Sequence, residues 1–155
     1  MSSKNTPIHA LTHRHTGIAR NIVTPVEIKN VFDGKIVTTL GIWDTGATGS
    51  VITKSTAIAL GLLPIRRITV RGVHGKRRVN VYYANITLNN KNITLNTHVT
   101  ECDELSADNS VGMLIGMNII TRGDFAITNY QENTTMSFCV PSLQEIDFVS
   151  AVKVK

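Results

Sequence analysis

The sequence predicts an all-β protein with little helix, and three observations carry the prediction. Val, Ile and Thr number 15, 17 and 19, so 51 of the 155 residues are β-branched; such side chains are stiff at χ1 and suit a pleated, half-buried surface. Short β-rich runs recur along the chain, separated by Gly, Asn and Asp turn signals. Hydrophobic residues make up 42% and mean hydropathy is +0.05, enough for one core and incompatible with a mainly disordered chain. No internal repeat or shift of composition divides the sequence, which argues for a single folded unit.

Residues 1–17 are polar, His-rich and aperiodic, and read as a flexible tail. His9, His13 and His15 lie there without a nearby Cys or carboxylate, which argues against a metal site. From Ile18 the pattern is strand-like. Ile22 to Ile28 is β-rich, with Pro25 suited to an edge or bulge. Asp33-Gly34 is a turn signal between Val31-Phe32 and the run Lys35–Leu40, which predicts a hairpin. Leu40-Gly41-Ile42-Trp43 then runs into Asp44-Thr45-Gly46-Ala47. After Val51-Ile52, Thr53 can cap a helix over Lys54–Leu60, and Gly61 sits where a left-handed C-cap belongs. Ile65 to Tyr83 reads as a long hairpin tipped by Gly72 and Gly75. Two further strands, Asn85–Leu88 and Ile93–Val99, flank an Asn89-Asn90 turn, and Glu101–Ser110 is an acidic loop. Met113-Leu114-Ile115-Gly116 predicts a buried strand entering a short helix that ends near Gly123. Phe125–Thr128 and Thr135–Val140 supply late strands; periodicity leaves Gln144–Val154 open between helix and strand.

Sixteen Lys and Arg against eleven Asp and Glu give a net charge of +5. That balance permits an acidic partner without requiring one. Only 5% of residues are aromatic and none interleaves the basic run, which argues against nucleic acid as a partner. No apolar run approaches the roughly 20 residues of a membrane span, and the first twenty residues do not read as a secretory signal. A cytoplasmic location with Cys102 and Cys139 reduced is therefore expected, and chance accounts for the glycosylation sequons at Asn85, Asn92 and Asn133. Neither cysteine is framed as a nucleophile, and Cys139, between Phe138 and Val140, reads as core.

Asp44-Thr45-Gly46 is the best chemical candidate. An acid directly after an apolar strand sits on rigid scaffold, and Gly46 lets the chain turn sharply there. The tripeptide itself arises by chance in roughly one chain in fifteen of this length, so its context carries the argument. Four features in order over Ile22–Thr128 resemble the retropepsin-like aspartic proteases. They are Leu40 to Ala47 followed by Ser50-Val51-Ile52; the short helix ending at Gly61; the glycine-tipped hairpin Ile68–Val81, similar to the family's flap; and Met113 to Ile120, similar to the apolar-apolar-Gly segment beneath the catalytic loop. One departure stands out. Retroviral members usually pair an acid soon after the first motif with an Arg after the later Gly, and here those places hold Thr48 or Gly49 and Met117. Both partners are missing together, so no buried charge is stranded, and the chain looks closer to cellular or bacterial relatives.

The resemblance implies a small closed barrel with one or two short helices, spanning residues 18–140, with 141–155 as a C-terminal extension. It implies an aspartic endopeptidase acting on a peptide or protein substrate without metal or cofactor. Such enzymes use two carboxylates that share one proton, because like charges about 3 Å apart cannot both ionise. This chain has a single Asp-Thr-Gly, so a working site needs a homodimer with one Asp44 from each copy. Asp44, Thr45 and Gly46 would form the catalytic loop; Ala47, Gly72, Val73, His74, Gly75, Lys76 and Ile115 would meet substrate. Ala47 offers no hydroxyl to the ionised pair, so activity is expected to peak at mildly acidic pH. Two alternatives stay open: a retropepsin-fold module that dimerises or binds peptides without cleaving them, and a basic module for acidic partners. The second draws on Arg66, Arg67, Arg71, Lys76, Arg77 and Arg78, six cations within thirteen residues that contain no acid; as a solvated hairpin these charges would simply discourage edge pairing.

Overall fold

Alternation of buried and exposed side chains builds the first hairpin of the computed structural model, which describes residues 6–72 and 75–152. Thr24, Val26, Ile28 and Asn30 point inward from β2 (Val23–Asn30), while Pro25 and Lys29 face out. β2 pairs antiparallel with β3 (Ile36–Trp43). The turn between them relies on Gly34 at φ 79°, a left-handed conformation that glycine adopts without steric cost, and on Asp33, whose Oδ1 accepts from Lys35 N–H at 2.8 Å.

After the Asp44 loop come β4 (Val51–Thr53) and α1 (Lys54–Ala59). Thr53 Oγ1 accepts from Thr56 N–H at 3.3 Å, and Gly61 (φ 65°) follows the helix, as the sequence predicts. The glycine-tipped hairpin is β5 (Arg66–Gly72) and β6 (Gly75–Thr87). β7 (Thr94–Cys102), β8 (Val111–Ile115) and α2 (Met117–Ile120) complete the central portion. Strand order β2-β3-β8-β4-β7-β6 closes on itself through a β6–β2 pairing, making a six-stranded barrel, and among the described residues β5 is attached to β6 alone. β3–β8 and β4–β7 are the parallel pairs. The barrel interior is filled by apolar side chains, among them Val26, Ile52, Ile86, Val99, Met113 and Ile115, each at most 1% exposed. A Cβ on Gly41 would lie 3.0 Å from both Ile115 Cδ1 and Val26 Cγ1, so glycine allows the strands to close at that point.

A second, three-stranded antiparallel sheet orders β1 (His9–Arg14), β10 (Thr135–Val140) and β9 (Asp124–Thr128). Its Leu11, Met136 and Phe138 join the same core as the barrel. Trp43 connects the two layers: its ring stacks on Phe125 and meets Phe138 edge-on, both at 5.3 Å, and its indole N–H donates to buried Thr24 Oγ1 at 3.0 Å.

Two expectations differ from the structure, and a third segment that periodicity left open takes one form. The segment read as a flexible tail supplies β1, because six consecutive residues pair with β10 and Leu11 enters the core. Asn85–Leu88 is no separate strand: β6 runs unbroken from the hairpin tip to Thr87, since Asn85 and Thr87 turn outward while Ala84 and Ile86 are buried. The late segment forms a single helical turn, α3 (Phe148–Ala151), with Asp147 Oδ1 accepting from Val149 N–H at 2.9 Å. The chain leading to α3 is tied to β9 by Asp124, whose carboxylate accepts from the Ser142 hydroxyl and from the Leu143 and Gln144 amides. Those donors, Ser142 first, hold Asp124 below the usual carboxylate range. Among the described residues no helix is long and apolar enough to cross a membrane.

Candidate active site

β3 delivers Asp44 one residue after the buried Trp43. The backbone there is fixed from below: Asp44 N–H donates to Ile115 C=O at 2.9 Å, and Ala47 N–H closes the loop on Asp44 C=O at 3.3 Å. The carboxylate is half-exposed, and Oδ1 accepts from Gly46 N–H at 2.8 Å. A Cβ on Gly46 would stand 3.1 Å from that same oxygen. Glycine here keeps the carboxylate uncrowded and lets it accept from the backbone.

The far side of the loop is laced to the strand–helix junction of β8 and α2. Met117 and Asn118 N–H donate to Ala47 and Thr48 C=O at 2.8 and 3.2 Å. A Cβ on Gly116 would fall 2.5 Å from Gly49 C=O and 2.9 Å from Ala47 C=O, so the two segments touch only because residue 116 has no side chain. Ser50, 1% exposed, is the hub. Its N–H and hydroxyl both donate to Asn118 Oδ1 at 2.8 and 2.7 Å, and its Oγ accepts from Gly116 N–H at 3.0 Å. Asn118 Nδ2 in turn donates to Thr97 Oγ1 at 3.0 Å and His98 C=O at 3.4 Å, tying β7 into the floor.

Asp44, Gly46, Ala47 and Ile115 therefore come together, with Thr45 exposed on the same loop. Ile115 is fully buried and its side chain lies in the barrel core beside Gly41; what it gives the loop is a backbone carbonyl, not an apolar wall for substrate. Gly72 and Gly75 face each other across the hairpin tip, and Lys76 stands opposite Arg71. No hydrogen bond joins these hairpin residues to the Asp44 loop among the described residues. Val73 and His74 lie outside the described residues. A cavity of about 330 Å³ between the β2–β3 turn and the segment after α1, lined by Asn30, Phe32, Leu63 and Ile65 among others, contains none of the candidate residues. Sequence reasoning did not assign roles to Ser50 and Asn118. The signal available was the match of Ser50 and of the segment containing Asn118 to the family's two motifs, 68 residues apart.

At the root of the hairpin, Tyr82 OH donates to Glu101 Oε2, and Asn80 Nδ2 donates to the same carboxylate oxygen at 3.2 Å. Burial, then the bond to Glu101, pushes the Tyr82 phenol up to about 12. Arg77 forms a bidentate pair with Asp103 at 2.6 and 2.8 Å; the hydrogen bonds raise the guanidinium and lower the carboxylate. Among the described residues no group of three or more His, Cys, Asp or Glu is placed to hold a metal ion. His13 and His15 meet edge to face at 4.6 Å.

Comparison with known proteins accords with this geometry. A search of curated proteins found no match. Among solved structures, the chain is similar to a retropepsin-like aspartic protease from Rickettsia conorii at 15% identity, covering 90% of this chain and 99% of that one with a TM-score of 0.54. It is also similar to the retroviral protease-like domain of Ddi1 from Leishmania major at 18% identity, covering 84% and 100% with a TM-score of 0.50. At such identities the likeness establishes the fold, which is retropepsin-like. The family profile described as aspartyl protease matches residues 24–119, more than half of the sequence, including the Asp44 loop and the segment beneath it, and the chain belongs to that family.

Proposed function

We propose that the chain is an aspartic endopeptidase that works as a homodimer, hydrolysing peptide bonds with water activated between two Asp44 carboxylates. The observation that carries this reading is the state of Asp44: a half-exposed carboxylate on a loop braced by β8 and α2, with a glycine amide as its only side-chain partner among the described residues. Such a group is fixed in position yet open to a reacting partner. One carboxylate would take a proton from water while the other, protonated, polarises the scissile carbonyl. The chain contributes one such acid, so the second comes from a second copy. Thr45, exposed on the loop, would brace the contact between copies. Ala47 would border the cut, Ile115 would hold the loop from below, and Gly72 to Lys76 would cover an extended substrate.

The test is cleavage of a mixed peptide library near pH 5, read beside sedimentation. The wild type should cleave as a dimer. Asp44→Asn keeps an Oδ1 that accepts from Gly46 N–H, so it should fold normally while losing activity by about a hundredfold or more. Cleavage retained by Asp44→Asn, or by a strictly monomeric wild type, would overturn the proposal.

A further inference from the structure

β5 ends the strand order, with β6 as its one neighbour among the described residues, so its outer side presents backbone N–H and C=O groups able to accept another strand. The register divides the hairpin's side chains between two faces, because opposite residues share a face and alternate along each strand. One face pairs Ile68 with Val79 and Val70 with Arg77. It is the packed face: Val79 is buried, Ile68 and Val70 are half-buried, and Arg77 is held by Asp103. The other face pairs Arg67 with Asn80, Thr69 with Arg78, and Arg71 with Lys76.

All four cations on that second face are exposed, and among the described residues none has an acidic partner. The nearby acids are already engaged, Asp103 by Arg77 and Glu101 by Tyr82 and Asn80. Arg71 and Lys76 stand directly opposite one another, an arrangement that weakens a hairpin. The same charges repel the basic edge of a second copy. An extended strand of opposite sign meets no such barrier.

We propose that β5 is a docking edge for an acidic peptide that joins by strand addition, with Asp or Glu at every second position. Alternate side chains on a strand recur about every 6.7 Å, the spacing that separates Arg67, Thr69 and Arg71 along β5. Acids in that phase fall beside the two arginines, and the residues between them face the side of Ile68 and Val70. Single-stranded nucleic acid carries the same charge but binds through aromatic stacking platforms, and the aromatic side chain on this face, Tyr82, is buried and bonded to Asn80. The docking uses β5 from Arg67 to Arg71 and no part of the Asp44 loop, but it adjoins the hairpin tip, Gly72 to Lys76, proposed above to cover substrate.

The experiment is fluorescence anisotropy on the full chain carrying Asp44→Asn, so that binding is read without cleavage. The probes are a labelled peptide alternating Glu with Thr, its isomer of identical composition with the Glu residues in one block, and the alternating peptide N-methylated at every second residue. The alternating peptide should bind about tenfold tighter than the blocked isomer, and Arg67→Gln with Arg71→Gln should remove about tenfold, as two favourable exposed ion pairs would. N-methylation should abolish binding while leaving charge untouched. Equal affinity for the two isomers, indifference to N-methylation, or equal binding of a single-stranded oligonucleotide of the same charge would overturn the proposal. A peptidase that fails this test remains a peptidase, and a docking edge that passes it says nothing about cleavage.

Discussion

Asn118→Ala tests whether the floor beneath Asp44 is held by one amide. The substitution removes two bonds accepted from Ser50, at 2.8 and 2.7 Å, and one donated to Thr97 at 3.0 Å, besides a longer one to His98. Ser50 is 1% exposed and Thr97 8%, so bulk water does not take the amide's place. A buried N–H left without a partner costs about 1–3 kcal/mol, and each ordinary bond lost adds about 0.5–1.5 kcal/mol. The expected loss is about 3 kcal/mol, which at a urea slope of about 2 kcal/mol/M lowers the unfolding midpoint by about 1.5 M. Ser50→Ala should lower it too, by stranding Gly116 N–H, and the double variant should fall short of the sum because both changes break one network. A midpoint within about 0.3 M of wild type, or strict additivity, would show that the hub is not what holds the loop.

Three further outcomes follow from the same structure. Gly116→Ala sets a Cβ 2.5 Å from a backbone oxygen that cannot swing aside, so urea unfolding should show a loss of about 1–3 kcal/mol, and an unchanged midpoint would mean the segments part easily. Burial, then the Asp103 carboxylate, pushes the Cys102 thiol up to about 11; in a Cys139→Ser background its alkylation by iodoacetamide at pH 8 should run about a hundredfold slower than that of a free thiol, and an ordinary rate would contradict the burial. Tyr82 is held above the unfolded phenol value of about 10, at about 12 in the folded chain. Its contribution is therefore complete below pH 10 and lost as pH rises toward 12, so urea midpoints measured across that range should decline less steeply in Tyr82→Phe than in wild type.

What could be read from the residues was whatever is local. Asp33-Gly34 announces its turn, Thr53 and Gly61 bracket their helix, and Leu40 to Ala47 is both a strand and the start of a loop within eight consecutive residues. What escaped depends on distant partners. β1 has one fully buried apolar residue, Leu11, and becomes a strand because β10, more than 120 positions later, supplies its hydrogen bonds. β6 continues past Tyr83 because β2 and β7 both pair with it there, although Asn85 interrupts the apolar pattern. Asn118 looks like a polar residue opening a short helix; its role exists only where β8 carries it beneath Ser50. Ile115 was legible as apolar and buried, but not as a residue whose carbonyl matters more to the site than its side chain.

The parallel ladder between β3 and β8 has a consequence for how the protein comes into being. Trp43 lies beside Ile115, so the strand bearing the acid has β2 on one side from the start but acquires its second neighbour only when the chain has looped back across some seventy residues. Contacts of such long separation form late and slowly. Until the segment Ile115–Asn118 is in place, the Asp44 loop lacks the backbone bonds that Ile115 C=O and the Met117 and Asn118 amides give it.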